Sequence, residues 1–297
     1  MSRGTRPGIA RLSSVRDDLE AGISQTLTVV LALLTVAGAA GLVALTVVAR
    51  WPNYDPAAPH LLWRWSRRRV DPELTTGVAL TLCIPAVVAL TGAAGVLLLM
   101  VRTKTGVANY DLAFARWGAV HATSGSTAVL RRLSDLGGTL GVVSLAAIVG
   151  IIEFRRLPNR AIPALLALTV LGQFAIVNLI KVIVDRARPD LHQLTGFSSS
   201  SFPSGHATSA AAAFAVIALL LGRRRSRRAR AAISGGAVAI AVIVAGTRVL
   251  LGVHWLTDVL AGLAIGWAWF ALCSIAFGGR LLSFGAPAAP AGESAAF

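Results

Sequence analysis

Long apolar runs, most of them near the length of a membrane-spanning helix, recur along this chain. Crossing the hydrocarbon core of a bilayer takes about 20 predominantly apolar residues. The pattern predicts an all-α, polytopic membrane helix bundle. Its seven predicted spans are Leu27–Ala49, Gly77–Val101, Leu136–Phe154, Ala161–Val184, Ala207–Leu221, Ala231–Leu251 and Trp255–Phe277.

The polar segments between and around the runs set the predicted domain boundaries. Residues 1–26 are polar and of mixed charge and predict a mobile tail. Residues 27–73 hold the first span and a basic connection, whose Trp63 and Trp65 beside arginines suit the headgroup layer. Residues 74–278 form the main membrane domain, and residues 279–297, rich in Ala, Pro and Gly, predict a disordered tail.

One connection, Arg102–Asp135, is too polar to span a membrane. Its apolar positions predict a short helix lying in the interface, anchored by Trp117. The predicted apolar face consists of Leu112, Phe114, Ala115 and Val120.

Composition agrees with a membrane protein. The chain is 55% hydrophobic and only 14% charged, whereas soluble domains carry about 25% charged residues. The formal net charge of +15 comes from short basic blocks between apolar runs, which is the positive-inside pattern of membrane loops rather than a nucleic-acid surface. The loop before the sixth span should be cytoplasmic, since it contains Arg223, Arg224, Arg225, Arg227, Arg228 and Arg230.

Counting spans from that loop places several polar residues at one membrane edge, the outer one. Lys181 and Arg188 close the fourth span and His206 opens the fifth. Arg248 closes the sixth span and His254 opens the seventh. Segments far apart in sequence are therefore expected to meet at the outer face of the cell membrane.

These residue types fit phosphate chemistry. Lysine and arginine are the usual ligands of phosphate oxygens. Ser204 and Gly205 begin a predicted helix, whose first N–H groups favour an anion. His254 and Asp258 are four residues apart, so the carboxylate can hold one ring nitrogen and leave the other as a nucleophile. His206 remains as a general acid, because an imidazole exchanges protons near neutral pH.

Three motifs together resemble the signature of the type 2 phosphatidic acid phosphatase superfamily. They are Lys181-(six residues)-Arg188-Pro189, then Pro203-Ser204-Gly205-His206, and then Arg248-(five residues)-His254-(three residues)-Asp258. The resemblance implies a six-helix core from about Gly77 onward, with the Leu27–Ala49 helix as an addition. Thr247 stands where that superfamily usually has serine, which keeps the hydroxyl.

The resemblance also implies the roles of the site residues. His254 would attack phosphorus to form a phosphohistidine, Asp258 would orient it, and His206 would protonate the leaving alkoxide. Five residues would hold the phosphoryl oxygens: Lys181, Arg188, Ser204, Gly205 and Arg248. Neither a metal nor another cofactor is implied. The expected partners are the bilayer and a lipid phosphate substrate of the phosphatidic acid, phosphatidylglycerol phosphate or polyprenyl diphosphate type.

Several alternatives stay open at this point. A lipid phosphotransferase would share the covalent step, and an anion transporter or channel would use the cations as a selectivity ring. Haloperoxidase chemistry would need bound vanadate, and the membrane setting favours lipid instead. A zinc site at His206, His254 and Asp258 has suitable ligand types, but the neighbouring cations would repel the metal. The sequence leaves the oligomeric state open.

Other polar residues are interpreted more simply. Arg186, Arg155 and the Arg223–Arg230 block are expected to be membrane anchors whose charges reach the interface. His60, His121 and His192 lack polar company and are expected at the surface.

Overall fold

The computed structural model describes residues 7–50, 75–190, 199–223 and 225–281. Within these ranges the chain forms nine α-helices and one short 3₁₀ helix, Gly106–Tyr110. The α-helices are α1 (Pro7–Arg50), α2 (Thr75–Thr103), α3 (Asp111–Val120), α4 (Ser124–Asp135), α5 (Thr139–Arg156), α6 (Ala161–Val184), α7 (Gly205–Gly222), α8 (Arg227–Leu250) and α9 (Leu256–Leu281).

Six of the described helices are long and apolar enough to cross a membrane. These are parts of α1, α2, α6, α7, α8 and α9. Helices α4 and α5 meet at a 45° bend and qualify together as a seventh span. The all-helical membrane bundle is thereby confirmed, and the predicted third span, Leu136–Phe154, corresponds to α5.

Several helices differ in extent from the predicted segments. Residues 7–26 were expected in a mobile tail, but α1 is helical from Pro7 onward. The expected interfacial segment forms two helices, α3 and α4, and Ala115 is buried while the other members of its predicted apolar face are exposed. Helix α9 extends to Leu281, three residues into the predicted C-terminal tail. Residues 51–74 and 282–297 lie outside the described residues.

Helix α7 forms the centre of the bundle and packs against α5, α6, α8 and α9. Its small side chains, including Ala207, Ala210 and Ala211, are fully buried and let neighbouring helices approach closely. On α9, Gly262 and Gly266 face α7: a Cβ at Gly262 would lie 2.7 Å from the Ser204 carbonyl oxygen, and one at Gly266 would lie 2.5 Å from that of Thr208. This contact fixes the first turn of α9 against the start of α7.

Helix α1 lies antiparallel along α8. Leu33 packs where a Cβ at Gly246 would be, and Gly41 approaches the carbonyl oxygen of Gly235. Near the start of its span, Thr26 Oγ1 is 2.7 Å from Thr123 Oγ1 in the turn before α4. This turn lies at the same end of the bundle as Val184, Ser204, Leu250 and Leu256. We call this end the site edge.

Candidate active site

The site edge brings together all eight residues that the sequence nominated. Lys181 lies in the last turn of α6, and Arg188 follows in a segment without regular secondary structure after Asp185, which ends that helix with a left-handed φ of 42°. The N-cap of α7 is Ser204, followed by Gly205 and His206. Arg248 lies in the last turn of α8 and Asp258 in the first turn of α9, with His254 between them.

His254 is held in a tight turn between α8 and α9. Gly252 has a φ of 69°, and the backbone N–H groups of Val253 and His254 both donate to the Arg248 carbonyl at 3.2 Å. One ring nitrogen, Nδ1, lies 3.5 Å from Asp258 Oδ2. The other, Nε2, lies 3.2 Å from Arg188 Nη1. A guanidinium only donates hydrogen bonds, so Nε2 accepts and the proton is assigned to Nδ1, on the Asp258 side.

The electrostatic surroundings keep His254 neutral. Its side chain is 3% exposed. Burial lowers the pKa of His254 to about 4, against the opposing effect of Asp258, and Arg188 and Arg248 lower it further. At neutral pH the unprotonated Nε2 therefore offers a lone pair toward the cationic side of the site.

Arg188 and Lys181 meet at the segment that precedes α7. Arg188 Nη1 donates to the Val253 carbonyl at 2.7 Å, and its Nε donates to the Ser199 carbonyl at 2.8 Å. Lys181 Nζ donates to Ser199 Oγ at 3.1 Å. Burial lowers the pKa of Arg188, but a guanidinium starts high enough to stay charged at neutral pH. Arg188 thus stands beside His254 Nε2, and Lys181 binds the same serine as Arg188.

The start of α7 supplies further polar groups. Ser204 is fully buried, and its Oγ has no hydrogen-bond partner among the described residues. Among the described residues, a Cβ at Gly205 would meet only Val177 Cγ1, at 3.7 Å, so their packing does not require a glycine there. The first N–H groups of a helix have no acceptor within it. This helix start is suited to receive an anion.

His206 faces the bend between α4 and α5. A Cβ at Gly138 would lie 3.6 Å from His206 Nε2, and one at Gly137 would lie 2.9 Å from its carbonyl oxygen. His206 interacts electrostatically with Arg248, His254, Lys181 and Arg188. The glycine pair thus leaves room for the second imidazole within reach of the same cationic group.

Arg248 is 3% exposed. Its Nη1 donates to Ser134 Oγ at 2.6 Å, which links the end of α8 to α4. The neighbouring Thr247 hydroxyl donates to the Val244 carbonyl of its own helix at 2.6 Å. The threonine that replaces the usual serine therefore contributes a bond within the helix.

The interpretation of Arg186 as a membrane anchor is wrong. Its guanidinium binds the carboxylates of Asp258 and Asp111, and its side chain is only 16% exposed. Arg223, also expected as an anchor, is 13% exposed and lies 3.5 Å from Glu153 at the opposite end of the bundle. In both cases a buried carboxylate holds the arginine inside the protein.

Three further contributors to the site were missed. The Ser201 hydroxyl donates to Asp258 Oδ2. Asp111, at the start of α3, accepts from Arg186 and from Thr257, and Ser134 contacts Arg248. No motif spacing links Asp111 and Ser134 to the others, since both lie in the polar connection before α5, whereas Ser201 lies two residues before the Pro203-Ser204-Gly205-His206 motif. Arg155 is exposed, as an anchor should be, and His60 and His192 lie outside the described residues.

Comparison with known proteins gives consistent matches. The sequence model of the PAP2 superfamily matches residues 162–281, which include all eight nominated residues. Phosphatidylglycerophosphatase B of Bacillus subtilis (strain 168) is 35% identical over 141 residues, covering 46% of this chain and 68% of that protein. Lipid A 1-phosphatase of Rhizobium johnstonii is 40% identical over 121 residues, covering 37% of this chain and 46% of that protein.

A solved structure has the same arrangement of helices. The transmembrane PAP2 type phosphatidylglycerolphosphate phosphatase from Bacillus subtilis aligns with a TM-score of 0.60 and 28% identity, over 67% of this chain and 98% of that chain. The named relatives are phosphatases, which are hydrolases of phosphate esters. Given this structure and a relative that is 35% identical over two thirds of its length, the chain is a multi-span membrane protein that belongs to the PAP2 superfamily, as its three motifs predicted.

Proposed function

We propose that this protein is a metal-independent phosphatase that hydrolyses a lipid phosphate or diphosphate through a phosphohistidine at His254. The observation that carries the proposal is the orientation of His254. Its Nδ1 side faces the buried Asp258, and its Nε2, which accepts, lies 3.2 Å from Arg188. A nucleophile placed among cations meets a phosphoryl group whose charge those cations neutralise.

The first chemical step transfers the phosphoryl group to the protein. The lone pair of His254 Nε2 attacks phosphorus while the bond from phosphorus to the leaving oxygen breaks. The negative charge of the bound phosphate favours a proton on His206, and His206 gives this proton to that oxygen, so the alcohol leaves neutral. Lys181, Arg188 and Arg248 hold the phosphoryl oxygens together with the start of α7, at Ser204 and Gly205.

The second step returns the protein to its starting state. Neutral His206 takes a proton from water as the water oxygen attacks phosphorus, and the bond to His254 Nε2 breaks. Inorganic phosphate leaves, and His206 is protonated again. Asp258 keeps the His254 proton on Nδ1 throughout, which leaves Nε2 available for the next cycle.

A lipid substrate is supported by an apolar groove next to the site. The groove has a volume of about 470 Å³ and lies between α2, α6 and α9. Val184 and Phe202 line it. Val184 lies two residues before Arg186 and Phe202 follows Ser201, and both Arg186 and Ser201 contact Asp258. An acyl or prenyl chain in this groove would place its phosphate head at the site edge. The names of the relatives, a phosphatidylglycerophosphatase and a lipid A 1-phosphatase, favour a phosphate monoester on a membrane lipid.

We also propose that the site faces the outer side of the cell membrane. Arg155, Arg156, Arg223 and Arg225 lie at the ends of α5 and α7, opposite the site edge. Arginine-rich loops stay in the cytoplasm. We further propose that residues 74–278, which contain all eight site residues, form the catalytic membrane domain, and that α1 is an addition to it.

The test is phosphate release by purified protein from a panel of lipids. The panel comprises phosphatidic acid, phosphatidylglycerol phosphate and a polyprenyl diphosphate, and the parent is compared with His254→Ala. We expect the parent to release phosphate from at least one lipid and the variant to be about 10⁴-fold slower. Equal rates would contradict the proposal.

The same panel separates the remaining functions. A phosphotransferase would consume lipid while labelled phosphate appears on an added alcohol acceptor rather than free in solution. An anion transporter would move phosphate across a vesicle membrane without consuming lipid at all.

A further inference from the structure

The Arg186 guanidinium binds two buried carboxylates, and one of them, Asp258, also contacts His254. Arg186 Nη1 binds Asp258 and donates to Thr257 Oγ1 at 2.8 Å. Arg186 Nη2 donates to Asp111 Oδ2 at 2.7 Å. The two carboxylate side chains are 0% and 5% exposed, respectively. This cluster lies at the first turn of α9.

The buried carboxylate of Asp258 needs hydrogen-bond donors and a positive charge nearby, because burial removes its hydration. Asp258 accepts from the Ser201 hydroxyl and from the Trp255 backbone N–H at 3.0 Å. Apart from His254, Arg186 alone forms an ion pair with Asp258 among the described residues. Without Arg186, the carboxylate that orients His254 would lose its charged partner.

Asp111 holds the other half of the guanidinium. It also accepts from the Thr257 backbone N–H at 2.9 Å and from Thr257 Oγ1 at 2.7 Å, so it caps the first turn of α9 from another helix. Arg186 lies 5.4 Å from the centre of the Trp255 ring. A planar fork can bridge two carboxylates in this way, whereas a lysine ammonium is a single point charge.

We propose that Arg186 is a positioning residue for the reaction at His254. It holds Asp258 ionised and in place, Asp258 holds the imidazole, and Asp111 fixes Arg186 to the start of α9. Both terminal nitrogens of Arg186 contact this cluster, so substrate affinity does not depend on it. The inference rests on the function proposed above.

The first test is Arg186→Gln, assayed with the best lipid of the panel. We expect kcat to fall about 100-fold with KM changed by less than about threefold, because orientation rather than substrate binding is lost. Arg186→Lys should recover about tenfold of the loss, since it restores one of the two ion pairs. A large rise in KM with unchanged kcat would overturn the proposal.

A double variant tests whether Arg186 acts through Asp258. If it does, Arg186→Gln combined with Asp258→Asn should be no more than about threefold slower than Asp258→Asn alone, because the coupled partner is already gone. Losses that multiply would show that Arg186 acts independently, and would overturn the proposal.

The matched control is Arg102→Gln. Arg102 lies at the same edge and donates to the Val184 carbonyl at 3.0 Å. The kcat of the Arg102→Gln variant should stay within about twofold of the parent value.

Retained binding of orthovanadate shows that a variant is folded. If Arg186→Gln fails to fold, Asp111→Asn replaces it, with kcat about tenfold lower expected and an unchanged kcat overturning the proposal.

The results also separate this inference from the proposed function. If the parent and His254→Ala are equally inactive on every lipid, the proposed function fails. If the parent is active, His254→Ala is not, and Arg186→Gln keeps the kcat of the parent, only the role of Arg186 is overturned.

Discussion

Two histidines at the site edge show how neighbours decide what an imidazole can do. His121 Nδ1 lies 2.8 Å from the Trp117 carbonyl, and its ring stacks on Trp117 with centroids 4.4 Å apart. That ring is partnered by its own helix and caps α3. His254 instead has a carboxylate on one nitrogen and an arginine on the other. The same side chain serves structure in one place and suits nucleophilic attack in the other.

The pKa of His254 leads to a prediction about pH. Because burial lowers that pKa to about 4, the ring of the free protein stays neutral as the pH falls from 7 to 5. After correction for the substrate phosphate, which ionises near pH 6, kcat/KM should not fall over this range. An acid limb centred on about 6.5, the value of an exposed imidazole, would show that His254 is not the buried nucleophile described above.

At the scale of the helices, the site depends on how closely α9 approaches α7. Asp258, Gly262 and Gly266 recur at intervals of four and so share one face of α9. The Ser204 backbone N–H donates to the Asp258 carbonyl at 3.0 Å, and the glycines allow this approach. Helix α9, which carries Asp258, and helix α7, which begins at the proposed anion site, are thus held in a fixed relative position.

Gly262→Ala tests this contact. The added Cβ would lie 2.7 Å from the backbone oxygen of Ser204, which cannot move without shifting the start of α7. We expect a loss of about 1–3 kcal/mol in stability and at least a tenfold loss of kcat/KM. Thermal unfolding in detergent and phosphate release measure the two effects.

Gly236→Ala on α8 is the control, since a Cβ there meets no atom of the described residues within 4 Å. It should match the parent or be slightly more stable, because alanine favours the helix. Equal behaviour of the two variants would contradict the proposed importance of the α7–α9 contact.

The element scale also shows what the sequence could and could not predict. Apolar length predicts the spans, and counting them places Lys181, His206, Arg248 and His254 at one edge. The ion pair of Arg186 with Asp111 could not be predicted in the same way, because Asp111 lies 75 residues away in the sequence. Asp111 comes from a polar connection without membrane-length periodicity, whose docking on α9 depends on tertiary packing alone.

The whole molecule has a polar site edge and a strongly basic opposite end. In the proposed orientation the basic end is cytoplasmic, and the Thr26–Thr123 contact puts the start of the α1 span on the outer side with the site. Many apolar side chains in the described parts of α1, α2 and α6 are exposed, as expected for helices that contact lipid. The fold therefore presents its nominated phosphate ligands where a lipid headgroup would lie.

Cysteine labelling of intact cells tests this orientation. In a background with Cys83 and Cys273 replaced by alanine, Ser124→Cys marks the site edge and Arg225→Cys the opposite end, both at exposed positions. A membrane-impermeant maleimide should label Ser124→Cys in intact cells and Arg225→Cys only after permeabilisation. The reverse pattern would place the site in the cytoplasm.

The central claim is that His254 carries the phosphoryl group during turnover. Rapid quenching in alkali, which preserves phosphohistidine, followed by peptide mass spectrometry measures this directly. The account predicts one phosphoryl group on His254 in the parent during turnover and none in His254→Ala. Label on another residue, or full turnover by His254→Ala, would contradict it.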